Sequence, residues 1–328
     1  MAVGGTYGNT RKVMVRMIDN EGNTVWTTKI GDSDFGRVAH STGFSIIQDE
    51  VIGEKLYVGA GLWNKGSNRM EPAIIALDAA SGDVIWTWTS DSHSKHGAVR
   101  SVIMNGDRII ATGYVNCPDP GFIFVAEDAK AVVWELNTDG NLVKENILES
   151  QLPQGAKIRK DKSDGFIVAS TAWGELGGEE VFVAGLVKLS NSLDIEWEKT
   201  YGMEGGHTQV FDVLVDNDGN YLLGGHTTVG DGVKNWDYVA IKVNKDTKAL
   251  EWRNTYGQPR GFDARYIHDE MYGVALDLSG NYLLLGGSGD EYSYSETNSD
   301  GWLSDIWVSY LVVVDSEVNN FIFEESST

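Results

Sequence analysis

The chain has one cysteine, Cys117, so no intramolecular disulfide can staple it. That usage fits a reducing compartment. Five prolines in 328 residues are too few for a proline-rich linker or a low-complexity chain. No apolar run approaches the ~18 residues of a membrane-spanning helix, so membrane insertion is not expected. Positive charge is short: 26 Lys and Arg face 48 Asp and Glu, a net charge of −22. Such a surface repels polyanions, which excludes nucleic acid and anionic membranes as expected partners and favours cations and basic proteins. GxSxG, phosphate-loop, HExxH and CxxC motifs are all missing. Acid pairs such as Asp32/Asp34, Glu179/Glu180 and Glu324/Glu325 are what 48 acids produce by chance. The first residues, MAVGGTYGN, are neither a signal nor a transit peptide. They read like the middle of a strand, as if a targeting segment had been removed.

What is abundant is glycine, 39 residues, with 11 Trp and 13 Tyr in a chain that is 41% apolar. This composition predicts many tight turns around a sizeable core of large side chains. Residues 197–257 set the pattern. They begin WEKTYG, end WRNTYG, and hold two β-hairpins between those phrases. Strands are expected near 209–215, 221–225, 238–244 and 249–255, here called a to d, with an a–b turn DNDGN at 216–220. The a–b hairpin recurs near residues 44–61, 100–113, 157–170 and 272–286, five copies in all. The c–d hairpin recurs at 13–27, 73–87, 131–146, 183–198, 239–253 and 307–323, six copies. Trp26, Trp86, Trp197 and Trp252 occupy strand d and would wedge between blades. Gly-Gly or Ala-Gly ends strand b, where close backbone approach is expected.

A self-similar period of about 50–65 residues in an all-β chain predicts a propeller of four-stranded antiparallel blades. The fold class expected is therefore an all-β propeller, one domain over residues 1–328. Five blades are complete (about 40–91, 96–149, 154–202, 207–257 and 268–325), and one N-terminal blade over 1–31 has three strands because strand a is missing. A vacant strand position leaves a backbone edge that attracts another strand.

Candidate binding residues follow the repeat. His40, His96, His207 and His268 each fall just before a strand a, with Gln154 in their place in the fourth blade. One reading is a ring of imidazoles at a channel mouth that binds a metal or an anionic ligand. The other is an inherited residue that hydrogen-bonds backbone at each blade junction. Ser45, Ser101, Asp212 and Gly273 recur in strand a, through crowding near the axis or as a channel lining. Arg100, Lys157 and Arg159 on the same strands are suited to anions. The Asp/Asn/Gly turns at 19–23, 137–141 and 216–220 look like fragments of calcium loops, but none continues to the distal Glu such a loop needs. No metal site and no cofactor are assigned. Residues 289–305, GDEYSYSETNSDGWLSD, are an insertion with Tyr292, Tyr294 and Trp302, suited to protein contact or sugar stacking.

The phrases WEKTYG, DNDGNYLLGG and YVAIKVN resemble those of the PQQ-like and kelch-like propeller repeats. The quinoenzyme members carry more blades, each with a tryptophan-docking motif that this sequence is expected to lack, which implies no quinone. The length, the acidity, the similar halves and the incomplete propeller also resemble the diatom pyrenoid shell proteins. That resemblance implies a structural, non-enzymatic, self-assembling protein of the chloroplast stroma or pyrenoid that forms a sheet around Rubisco. Its expected contacts are Ala2, Val3 and Tyr7, the C-terminal Phe321, Ile322 and Phe323, and the aromatic insertion. The alternatives are a propeller that binds a sugar, peptide or metal, and a propeller hydrolase or lyase using Arg100, His207 and Asp212.

Overall fold

The computed structural model describes residues 2–5, 12–31, 42–48, 53–119, 128–229, 236–257, 267–290, 307–316 and 321–326. Every regular element among them is a β-strand. They form six antiparallel sheets in chain order, the blades of a propeller. The first blade is β1 (Ala2–Gly5), β2 (Val13–Ile18) and β3 (Thr24–Ile30), three strands as expected. The second is β4 (Thr42–Gln48), β5 (Lys55–Asn64), β6 (Arg69–Asp78) and β7 (Val84–Thr89). The third is β8 (His96–Asn105), β9 (Arg108–Cys117), β10 (Lys130–Asn137) and β11 (Leu142–Ile147). The fourth is β12 (Lys157–Lys160), β13 (Phe166–Leu176), β14 (Glu179–Leu189) and β15 (Ile195–Tyr201). The fifth is β16 (Thr208–Val215), β17 (Tyr221–Thr227), β18 (Asp237–Val243) and β19 (Leu250–Tyr256). The sixth is β20 (Ile267–Leu276), β21 (Tyr282–Asp290), β22 (Trp307–Val314) and β23 (Phe321–Ser326). The chain divides into two compact units, one of Met1–Lys160 with Leu189–Ile195 and one of Asp161–Lys188 with Glu196–Thr328.

The middle strands of the second to fifth blades are largely buried on both faces, which explains their continuous apolar runs. In the first unit, Leu56, Val58 and Ala60 of β5 pack with Val13 and Val15 of the first blade. Tyr57, on the opposite face of β5, packs with Val99, Ile109 and Trp134 of the third blade. In the second unit, Leu223, Val239 and Ile241 join Ile167 and Leu186 of the fourth blade. Leu222, Tyr238 and Ala240 face the other way, toward Leu284, Tyr310 and Val312 of the sixth.

The expectation that tryptophan docking is lacking is corrected by the structure. The Trp26 indole lies over Gly82 in the c–d turn of the next blade, and its Nε1–H donates to the Ala79 carbonyl at 3.2 Å. Trp86 lies in the same way over Gly140 and donates to the Thr138 carbonyl at 3.2 Å. A Cβ on Gly82 would fall 2.5 Å from the Trp26 ring, so glycine is required there by contact as well as by its φ of +78°.

The first strand of four blades carries a β-bulge. The register slips between Gly43 and Ser45, Val99 and Ser101, Val210 and Asp212, and Met271 and Gly273. The bulged residues are thus Phe44, Arg100, Phe211 and Tyr272. Opposite the last three bulges the second strand supplies Gly113, Gly225 and Gly286. A Cβ at these positions would sit 1.9, 1.8 and 2.0 Å from the carbonyl oxygens of Ala98, Gln209 and Glu270. At these three bulges the second strand has no room for a side chain, whereas Ala60 holds the equivalent position opposite the Gly43–Ser45 bulge. A bulge re-aims one side chain out of the pleat alternation, which positions the site described next.

Candidate functional site

Two neighbouring bulges in the second unit put aromatic rings together. Phe211 is half-buried and meets Tyr272 edge-on at 5.1 Å between centroids, and Tyr272 is 52% exposed. Beneath them lies His226 at the end of β17, only 2% exposed. Its ring is 4.9 Å from Phe211, 6.0 Å from Tyr272 and 4.8 Å from the half-buried Trp236. His226 Nε2 is 2.8 Å from Oε1 of buried Gln209. Its buried Nδ1 makes no hydrogen bond of full geometry among the described residues. Burial first, and then the neighbouring His268, push the imidazole pKa down to about 3, while a backbone contact at Met271 partly opposes this. His226 is therefore neutral across the physiological range.

Carboxylates stand beside this cluster on β20. The Tyr272 hydroxyl donates to Glu270 Oε2. Glu270 is half-buried, while Asp269 and His268 are 1% and 4% exposed. The Asp269 N–H donates to the Trp236 carbonyl at 2.7 Å, which ties β20 to the start of β18. The site thus combines an aromatic surface open to solvent, a hydrogen-bonded carboxylate and a neutral buried imidazole.

The residues expected from the sequence are distributed as follows. His96 and Arg100 belong to the first unit, and His207, Asp212 and His268 to the second. His96 Nδ1 accepts the Met70 N–H at 3.0 Å, and its ring stacks on Trp63 at 5.7 Å. His207 Nδ1 accepts the Phe182 N–H at 3.1 Å. Both bonds run to the third strand of the preceding blade. Arg100 occupies a bulge, and its field acts on buried Tyr114, whose pKa burial raises. Asp212 is buried, and its Oδ2 accepts the Val274 N–H of the next blade at 3.2 Å. Ser45 does the same for Val102 at 3.2 Å. Two of the recurrent polar residues of strand a are thus links between blades. Gln154 is buried in the first unit. Among the described residues no group of three His, Cys, Asp or Glu side chains could hold a metal ion.

His40, Tyr7, Tyr292, Tyr294 and Trp302 lie outside the described residues. Ala2 and Val3 belong to β1, which pairs with β2, and Phe321, Ile322 and Phe323 belong to β23, which pairs with β22.

Sequence reading did not single out His226, Gln209, Phe211, Trp236, Glu270 or Tyr272 as a group. A signal was available: the bulged residue follows the recurrent histidine by four positions in every case, His40 to Phe44, His96 to Arg100, His207 to Phe211 and His268 to Tyr272. Read together with Gly113, Gly225 and Gly286 of strand b, that spacing marks the bulged residues of the third, fifth and sixth blades.

No known protein family's sequence profile matches the chain, and no curated protein sequence matches it. Solved structures do. The quinohemoprotein alcohol dehydrogenase from Comamonas testosteroni superposes with a TM-score of 0.53 at 10% identity, over 96% of this chain and 58% of its own. The chain thus spans somewhat over half the length of that protein. A thermostable family-43 glycoside hydrolase gives 0.47 at 10% identity, over 87% of this chain and 91% of its own. A subtype N10 neuraminidase-like protein of a little yellow-shouldered bat isolate from Guatemala gives 0.47 at 10% identity, over 92% and 82%. The first of these establishes the propeller fold.

The expectation that the chain is not an enzyme is corrected by that match, because the fold it shares is the fold of an enzyme. The expectation rested on the absence of linear motifs and on the shell-protein resemblance. A propeller assembles a site from strands of different blades, so such an absence excludes nothing. A resemblance to pyrenoid shell proteins is not among the similarities found, nor is a chloroplast location. No helix among the described residues is long and apolar enough to cross a membrane.

Proposed function

We propose that the second unit carries an acid–base hydrolytic site for neutral glycosides. The observation that carries this reading is the pair of adjacent bulges, which sets Phe211 and Tyr272 as an aromatic platform beside Glu270 and neutral His226. A sugar ring presents an apolar C–H face to such a platform and hydroxyls to the polar groups around it. A net charge of −22 disfavours anionic substrates.

In this reading protonated Glu270 donates to the glycosidic oxygen as its bond to the anomeric carbon breaks, a water attacks that carbon and returns a proton to Glu270, and Tyr272 positions the carboxyl group through the phenol. His226, uncharged and enclosed, supports the two rings from beneath, and Gln209 orients its imidazole. General acid–base groups of this kind contribute about 10²–10⁴-fold to rate. The intact protein should release nitrophenol from at least one neutral 4-nitrophenyl glycoside in a panel of glucosides, galactosides, mannosides, xylosides and arabinosides. Glu270→Gln should lower kcat/KM by about 100-fold or more on that substrate. Turnover of none of the panel, or a Glu270→Gln enzyme as active as the parent, would contradict the assignment.

A further inference from the structure

We infer that the β13–β14 hairpin holds a second, non-catalytic saccharide pocket, and this does not depend on the function assigned to the His226 cluster. A cavity of about 470 Å³ lies at the hairpin tip, lined by Trp173, Gly174, Glu175, Gly178 and Glu180. That volume falls within the ~300–1,000 Å³ typical of small-molecule sites.

The first unit contains the corresponding hairpin, β5–β6, with a different tip. There Trp63 pairs with Met70, whose N–H donates to His96. In the second unit Trp173 packs against Phe182 at 4.4 Å, and the Phe182 N–H donates to His207. The two tryptophans and their partners therefore correspond. At the first tip the chain's own side chains fill the space. Asn64 and Ser67 donate to Glu71 at 3.0 and 2.9 Å, and Arg69 pairs with it at 3.1 Å. At the second tip Gly174 follows the tryptophan where Asn64 does, and the turn is Gly177–Gly178 at φ +62° and +84°. A Cβ at 177 or 178 would meet nothing within 4 Å.

What is left there is chemically specific. Glu175 and Glu180 are exposed and have no ion-pair partner among the described residues. The Trp173 Nε1–H is buried and has no acceptor among them. A ligand must therefore offer an acceptor to the indole N–H, donors to two carboxylates and an apolar face to the ring. A hydroxyl is both donor and acceptor, so a neutral sugar meets all three demands. An ammonium group offers donors but no acceptor, and an anion is repelled by both glutamates.

Isothermal titration calorimetry of the intact protein with cellotetraose, mannotetraose, xylotetraose and, separately, tetramethylammonium tests the inference. Saturable binding of at least one tetrasaccharide is expected. Trp173→Phe, which keeps the ring and removes the donor, should weaken it about tenfold, and Glu175→Gln with Glu180→Gln should weaken it further. Unaltered circular dichroism would show that these variants fold. The inference is overturned if the parent binds none of the three sugars or if Trp173→Phe binds as tightly as the parent. It is also overturned if only tetramethylammonium binds, or if binding disappears in Glu270→Gln and survives in Trp173→Phe. Failure of the hydrolytic reading alone would appear differently, as intact tetrasaccharide binding at Trp173 with turnover that Glu270→Gln leaves unchanged.

Discussion

Gly225→Ala should lower the stability of the protein by about 3 kcal/mol or more, the scale of severe overpacking. Its Cβ would fall 1.8 Å from the Gln209 carbonyl oxygen and 2.9 Å from the Val210 Cα, both backbone atoms that no rotamer change can move. Relief requires β16 to shift away from β17, and that removes the bulge between Val210 and Asp212. Phe211 then loses its contact with Tyr272, so the variant should also lose activity at temperatures where it remains folded. Gly22→Ala provides the control. Gly22 has φ +86° but open space around its Cβ, so only backbone strain of about 1 kcal/mol is expected. Urea unfolding followed by tryptophan fluorescence separates the two. Equal shifts of the midpoint would show that the close approach at Gly225 is not what holds the bulge.

The second large effect is a loss of stability in mild acid. His226 titrates near 3 when folded and near 6.5 when unfolded, chiefly because burial penalises the imidazolium. A folded pKa below the unfolded one means that the unfolded chain binds the proton first. The contribution is fully present above about pH 6.5 and is lost as pH falls toward 3. Between pH 7 and pH 5 the loss amounts to about 2 kcal/mol, in a range where most carboxylates remain ionised. His226→Asn should flatten the stability profile over that interval. A variant that keeps the full slope would show that other groups, and not the buried imidazole, bind the proton.

The blade count, the three-stranded first blade and the four strands of the fifth blade were legible because each depends on local pattern. Alternation, turn glycines and the c–d tryptophans recur at fixed spacing, and β16 to β19 lie within two residues of their expected bounds. The candidate site was legible only in part. Histidine recurrence pointed to the right end of strand a, but at His96 and His207 it reports a backbone hydrogen bond. The groups that make the site act through side-chain direction, which a bulge reverses. Phe211 reads as one more apolar strand residue until the register slip turns it out beside Tyr272. His226 reads as a polar residue after a Gly-Gly pair until three aromatic rings from other strands and loops enclose it. The Trp173 pocket was invisible for a further reason. It is defined by side chains that its counterpart has and it lacks, and that difference shows only when Trp63 and Trp173 are matched through their contacts.

The most direct test of the central claim is a crystal structure of the Glu270→Gln protein with a bound neutral tetrasaccharide. The account predicts one sugar ring against Phe211 and Tyr272, with a hydroxyl within hydrogen-bond distance of the Gln side chain at position 270. Saccharide at the Trp173 pocket alone, with Phe211 and Tyr272 bare, would contradict it.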